Sequence, residues 1–292
     1  MNLPDAAALL QALVNGLLIG ALLALAALGL SLVVGVVRIV NLMHGELVVF
    51  GAYAAWLLVQ FTGLHPLLLA PAAALAVALL GLPIERYLLQ PVARHGDEGP
   101  LLTTFALSII AQNLLVYFLS GDTRAIGSTL AAGRIAVGTI TVPKLYLAGF
   151  AIALAVCAGV HWLIVHTAFG RRIRASAENP ADAAVVGVPV RLTYALTFAL
   201  AAGVAGLGGA LLGMVFAFTP GSGVEFLLTG FTVVVLGGLG SVKGTLAGGL
   251  ALGVLESFGA VVFGDGYRLL VGLVAFLVFL TLRPQGLFGR AA

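Results

Sequence analysis

From Ala6 to Val37 the chain carries no Asp, Glu, Lys or Arg, and seven further windows are equally free of charge: 47–83, 99–121, 145–170, 192–224, 226–242, 244–255 and 269–282. A membrane-spanning helix needs about 20 apolar residues. Windows of this kind restrict the chain to helices laid through lipid, because only there is a long uncharged segment with self-paired backbone groups stable. The composition agrees: 9% of the 292 residues are charged and 61% are hydrophobic, against roughly 25% charge in soluble domains. A soluble chain of that make-up could not cover its own surface. A cytosolic enzyme, a nucleic-acid binder and a disordered scaffold are therefore excluded.

The fold class expected is all-α, a polytopic transmembrane helical bundle forming a single domain over 1–292. The window 47–83 is too long for one span, and Thr62-Gly63-Leu64-His65-Pro66 cuts it into a hairpin. Nine spans are predicted, at about 8–37, 39–61, 66–89, 101–119, 145–168, 192–217, 226–241, 244–263 and 268–283. Met1-Asn-Leu-Pro-Asp5 lacks the basic region of a cleavable signal peptide, so the first window is expected to remain as a span. Cys157 lies in an apolar run and is expected to be buried and inert.

Basic residues orient such a chain. Arg171, Arg172, Arg174 and Arg191 mark loop 169–191 as cytoplasmic, and nine spans then put Arg38, Arg86, Arg94, Lys243, Arg283 and Arg290 on the same side. Arg124, Arg134, Lys144 and Arg268 fall outside, with the N-terminus outside and the C-terminus inside. The window 226–241 is short; if it were re-entrant, Lys243, Arg283 and Arg290 would move outside, so the charge rule favours a crossing. In the external loop 120–143, residues 134–142 alternate and are β-branched, which predicts either a small hairpin or a linker of β-propensity without a partner.

In the cytoplasmic loop, Asn179 can cap, Pro180 suits a first helical position, Asp182 adds charge to the first turn, and Gly187 followed by Pro189 stops the helix. A two-turn helix over 180–186 is predicted, with Ala181, Ala184, Val185 and Val188 along one stripe. So short a helix needs a docking surface. It reads as a coupling helix for a cytoplasmic partner, beside the plainer reading of a solvated loop whose arginines set topology.

Ionisable residues at membrane depth are functional candidates. One cluster is Arg38-Ile-Val-Asn41-Leu-Met-His44-Gly45-Glu46. His44 and Glu46 point apart on a regular helix, so an unwound segment at Gly45 is expected to let both reach a cavity; pairing with other helices is the alternative. The other is Glu256, which shares a face with Gly249 and Gly253 and is expected to point into the bundle. Gly240, Gly244 and Gly248, like Gly209 and Gly213, form small-residue ridges for tight helix crossing. Gly238–Thr245 superficially resembles a phosphate loop, but its Lys and Gly stand in the wrong order. No Walker loop, zinc spacing or nucleophile elbow appears, so no catalytic or metal residue is assigned.

The run Gly29–Glu46 with Gly51-Ala-Tyr53 resembles the first motif of branched-chain amino acid ABC transporter permeases. Glu178–Gly187 is similar to their cytoplasmic coupling loop, Val235–Thr245 through Glu256 to their C-terminal motif, and Arg283-Pro-Gln-Gly-Leu-Phe288 to their ending. Met43 stands where the family usually has a small residue, and Val188-Pro189 where Ile-Asn is common. The resemblance covers about 9–288. It implies a bacterial inner-membrane subunit forming a heterodimer with a second, homologous permease, served by two cytoplasmic ATPases and a periplasmic amino-acid-binding protein, without nucleic acid. ATP belongs to the partner subunits, and no cofactor is expected in this chain. The implied substrate pathway takes in Asn41, His44, Gly45, Glu46, Gly237, Gly238, Gly240 and Glu256. The implied ATPase-coupling residues are Arg171, Arg172, Arg174, Glu178, Asn179, Asp182, Ala184, Val185 and Gly187. A urea or short-amide importer, a proton-coupled secondary transporter using Glu46 or Glu256, and a passive channel are the competing functions.

Overall fold

The computed structural model describes residues 5–93, 96, 98–283 and 286–288. Arg94 and Arg290, used above for orientation, and Pro284 and Gln285 of the ending motif lie outside the described residues. Helix α1 (Ala6–Leu32) is capped by Asp5, whose Oδ1 accepts from Ala8 N at 2.8 Å. It widens into a π-helical turn, Val33–Val37, and stops where Arg38 takes a left-handed conformation with φ 58°. Helix α2 (His44–Thr62) ends on Gly63 in the same conformation, φ 65°. His65 and Pro66 then start α3 (Pro66–Pro83), which continues through a second π turn, Ile84–Leu89, into α4 (Gln90–Val92). Helix α5 (Glu98–Leu119) follows.

The external loop holds a short α6 (Thr129–Ala132) and an antiparallel hairpin, β1 (Arg134–Val137) with β2 (Ile140–Pro143), Ile135 opposite Val142. The expected hairpin over 134–142 is present, and it has a partner. Gln11 of α1 receives Thr141 N at 2.8 Å and donates to Thr141 O at 2.9 Å, as a third strand would.

Helix α7 (Lys144–His166) runs from the hairpin to the opposite end of the bundle, where α8 (Ala168–Glu178) and α9 (Pro180–Val185) form an arm. Helix α10 (Val190–Val215) returns, and a 3-10 turn, Pro220–Ser222, leads into α11 (Gly223–Gly237). Helix α12 (Val242–Phe263) and, after another short turn, α13 (Arg268–Leu282) complete the chain. Among the described residues nine helical segments are long and apolar enough to cross a membrane, and the molecule is a polytopic helical bundle.

Three expectations shift. The second span begins at His44 and not near 39, because Asn41 closes its first turn: Asn41 Oδ1 accepts from Met43 N at 3.0 Å and Asn41 O from His44 N at 3.3 Å. The unwound stretch is therefore 38–43, and Gly45 is helical. The loop 169–191 contains a second helix, α8, absent from the sequence reading; Thr167 caps it, accepting from Gly170 N at 3.0 Å, and Ile173 is its buried apolar anchor. The predicted helix 180–186 is observed as Pro180–Val185.

Helices α1 and α10 form the centre, with α12, α3 and α2 packed on them. The α1–α12 crossing is lined with glycine: a Cβ on Gly16 would lie 2.7 Å from Val254 Cα, and one on Gly249 would lie 2.7 Å from Ala24 Cα. Such contact brings main chains together where lipid offers no hydrophobic drive for association. Helices α5, α7 and α13 are peripheral and present Leu102, Phe118, Trp162 and Leu277 outward. Cys157 is buried, as expected.

Candidate functional site

The first turns of α2 and α11 meet inside the bundle. A Cβ on Gly45 would strike the main-chain oxygen of Gly223, the first residue of α11. The Glu46 carboxylate lies over the same glycine, with Oε2 2.6 Å from where a Gly223 Cβ would stand. This is the partly positive end of a helix, which favours a carboxylate. Ser108 of α5 donates to Glu46 Oε1 at 3.2 Å. His44 turns the other way, as residues two apart must: its Nε2 lies 3.0 Å from Ala26 O of α1, and its ring faces Gly29 and Gly230. Thr104 of α5 accepts from Leu42 N at 3.2 Å, so the unwound stretch 38–43 is held from the side.

Asn41, His44, Glu46 and Thr104 are all buried. Among the described residues Asn41 Nδ2, His44 Nδ1, Glu46 Oε2, Ser31 Oγ and Tyr53 OH have no hydrogen-bond partner in the protein. An unmet buried polar group costs roughly 1–3 kcal/mol. Three of them, on Asn41, His44 and Glu46, lie at the helix break and its first helical turn, which makes this stretch the candidate polar site. No three His, Cys, Asp or Glu side chains among the described residues come together as a metal site would need.

The other implied pathway residues lie elsewhere. Gly237 ends α11, about 21 Å along its axis from Gly223 at 1.5 Å per residue, and Gly238 and Gly240 follow it. Gly240, φ 76°, packs on Gly35 in the π turn of α1, with its Cβ position 2.9 Å from Gly35 Cα. Ser241 caps α12 by accepting from Gly244 N at 3.0 Å, so the phosphate-loop look-alike is a helix start. Gly244 and Gly248 press on Gly237 of α11 as the expected ridge. Residues 286–288 close the end of α11: Leu287 N donates to Leu236 O at 2.8 Å and Phe288 N to Gly237 O at 3.1 Å.

Glu256 does point into the bundle, beside Gly272 of α13. It lines a separate cleft of about 450 Å³ at the hairpin end, together with Glu225, Asp265 and Arg268. Arg268 lies over the Phe216 ring at 5.8 Å and 3.9 Å from Asp265.

At the arm end, Asn179 Oδ1 accepts from Ala181 N and Asp182 N at 3.0 and 3.3 Å, while its Nδ2 donates to Asp182 at 2.7 Å. Gly187 stops the helix with φ 84°. Of the expected stripe, Ala181, Ala184 and Val185 are exposed, Val185 to 86%, and Val188 is half-buried. The residue of α9 that packs inward is Ala183. Arg171, Arg172 and Glu178 are also exposed. Arg174, exposed as well, folds back to donate to Ile164 O near the end of α7.

The arm touches the break directly. Arg38 Nη2 donates to Ala177 O at 2.7 Å, and Tyr194 OH of α10 donates to Ser176 O at 3.1 Å. The sequence reading missed Glu85, which is buried to 1% exposure in the π turn after α3. Gln90 Nε2 donates to its Oε2 at 2.8 Å and also to Arg191 O at 2.7 Å. Its signal was present: a carboxylate directly continuing an apolar window, with a proline two residues before it.

The family model described as "Branched-chain amino acid transport system / permease component" matches residues 12–282. The chain is similar to the high-affinity branched-chain amino acid transport system permease protein BraD of Pseudomonas aeruginosa, 33% identical over 99% of this chain and 98% of that protein. It is 28% identical to the Escherichia coli permease protein LivH, over 96% of each. A probable branched-chain amino acid transport permease of Methanocaldococcus jannaschii is 28% identical over 92% of this chain and 89% of its own. No solved structure matches the chain.

Proposed function

Because the chain belongs to the family of branched-chain amino acid transport permeases, we propose that it is the membrane-spanning subunit of an ATP-binding-cassette importer carrying leucine, isoleucine and valine. It works in the bacterial inner membrane with a second, homologous permease, two cytoplasmic ATPases and a periplasmic amino-acid-binding protein. ATP is bound by the partners and not by this chain. The arm end faces the cytoplasm, and the hairpin end faces outward. The full-length similarity to BraD and LivH supports the substrate class over urea or short amides.

One observation carries the mechanism: Arg38, at the helix break, is hydrogen-bonded to the α8 arm through Ala177 O. A push on exposed α9 is passed through α8 to the unwound stretch 38–43, where the first turns of α2 and α11 meet. That meeting point suits a zwitterion. Helix N-termini offer main-chain N–H groups to a carboxylate, and Glu46 offers a carboxylate to an ammonium. Closure of the ATPases moves the arm and opens the break to one side or the other. The glycine turn 237–240 acts as a pivot at the far end of α11, and Glu256 acts in packing of α12 on α13.

Reconstitution tests this. Liposomes containing this chain alone are expected to hydrolyse no ATP and take up no leucine. Addition of the second permease, the ATPases and the binding protein should produce both activities together. ATP-driven uptake by the chain alone, or uptake collapsed by an uncoupler at constant ATP, would overturn the reading.

A further inference from the structure

A cavity of about 420 Å³ lies at the arm end between the break, the π turn after α3 and the root of α10. Pockets for small ligands run from about 300 Å³ upward. Among the described residues its charged lining is one acid, Glu85, and two bases, Arg38 and Arg191. Its apolar wall includes Val37, Ile39 and Val190. Glu85 is fully buried, and among the described residues its hydrogen-bond donor is the neutral amide of Gln90. A buried carboxylate held by an amide is undercompensated, and a cation brought to it is favoured. Glu85, Gln90, Val190 and Arg191 lie outside the site around Glu46, while Arg38 and Ile39 belong to the break and join the cavity to it.

We propose that this cavity binds a free aliphatic α-amino acid from the cytoplasm. The ammonium meets Glu85, the carboxylate lies between Arg38 and Arg191, and the side chain rests on Val37, Ile39 and Val190. The proposal rests on the reading above that the arm end is cytoplasmic and that branched-chain amino acids are carried. Its consequence follows from what the same residues already hold. Arg38 is tied to the arm at Ala177, and the main chain of Arg191 is tied to the π turn by Gln90. A ligand gripping both arginines clamps the arm to the break, so imported product slows further import.

The test uses proteoliposomes of the complete transporter with the ATPases facing the lumen, ATP inside, and the binding protein with labelled leucine outside. Unlabelled leucine at millimolar concentration in the lumen is expected to slow initial uptake by roughly fivefold or more, the usual range of coupling between sites. Glu85→Gln and Arg191→Gln should keep uptake from leucine-free vesicles and lose the slowing. The slowing should persist without phosphatidylethanolamine, whose headgroup carries the same pair of charges. Uptake indifferent to lumenal leucine, or slowing retained in both variants, overturns the proposal alone. Slowing that vanishes without phosphatidylethanolamine assigns the cavity to lipid and overturns it too. A complete transporter that imports no leucine overturns the proposed function, and this inference with it.

Discussion

A methyl group separates alanine from glycine, and at Gly45 there is no room for one. The main chain of Gly223 fills that space. Overpacking costs roughly 1–3 kcal/mol where side chains can yield, and here the neighbour is backbone. Gly45→Ala is expected to cut the yield of folded protein and lower its thermal midpoint in detergent. Gly187→Ala, in open space at φ 84°, should cost only about 1 kcal/mol for the left-handed backbone; equal loss in the two would remove the argument for a tight α2–α11 contact. Glu46→Gln keeps the shape and removes the charge. It should lower uptake by ~10-fold, or about 1.4 kcal/mol, at unchanged complex assembly; uptake falling only in step with assembled complex would make Glu46 a packing residue. Asn41, His44 and Glu46 were legible in sequence because polar side chains at membrane depth stand out against an apolar background. Glu85 was passed over despite its signal, because a charge two residues after a proline at the end of an apolar window reads as the interface. Gly45 was noticed for the wrong reason: its missing side chain serves close approach rather than unwinding.

The arm shows what a short element can and cannot announce. Helix α9 is written in its caps, Asn179, Pro180 and Gly187, which act locally and were readable. Helix α8 was hidden by its three arginines, which drew the eye to topology. Yet Thr167 caps it, and Phe169, Ile173 and Ala177 recur at four-residue spacing, the interval of one helical face. Which face of α9 packs inward depends on where α8 sets it down, so the stripe of Ala181, Ala184 and Val185 pointed outward while Ala183 took the inner side. At this scale the expected outcome is uncoupling. Asp182→Ala removes the acceptor of the Asn179 amide, and Arg38→Ala removes the tie to Ala177. Each should leave membrane insertion intact and lower transport per ATP hydrolysed by a few-fold in the reconstituted importer. Wild-type coupling in both would reduce the arm to a topology signal.

For the molecule as a whole, spans and their order were legible because length and apolarity are enough to specify a crossing, whereas the pairing of α1 with α12 depends on glycines far apart in sequence. Orientation is checked on intact cells. Cys157 is buried, so single cysteines can be introduced at Thr139, exposed in the hairpin turn, and at Val185, exposed on α9. A membrane-impermeant maleimide should label Thr139→Cys directly and Val185→Cys only after permeabilisation; the reverse pattern would invert the molecule. The closure of α11 by residues 286–288 also bears on synthesis. The carbonyls of Leu236 and Gly237 receive their donors from Leu287 and Phe288, so this helix cannot be finished when it leaves the ribosome. It must wait through the insertion of two further spans. Premature chain termination before residue 286 should therefore leave a protein that inserts in full number of spans yet has a lower thermal midpoint in detergent than the full chain.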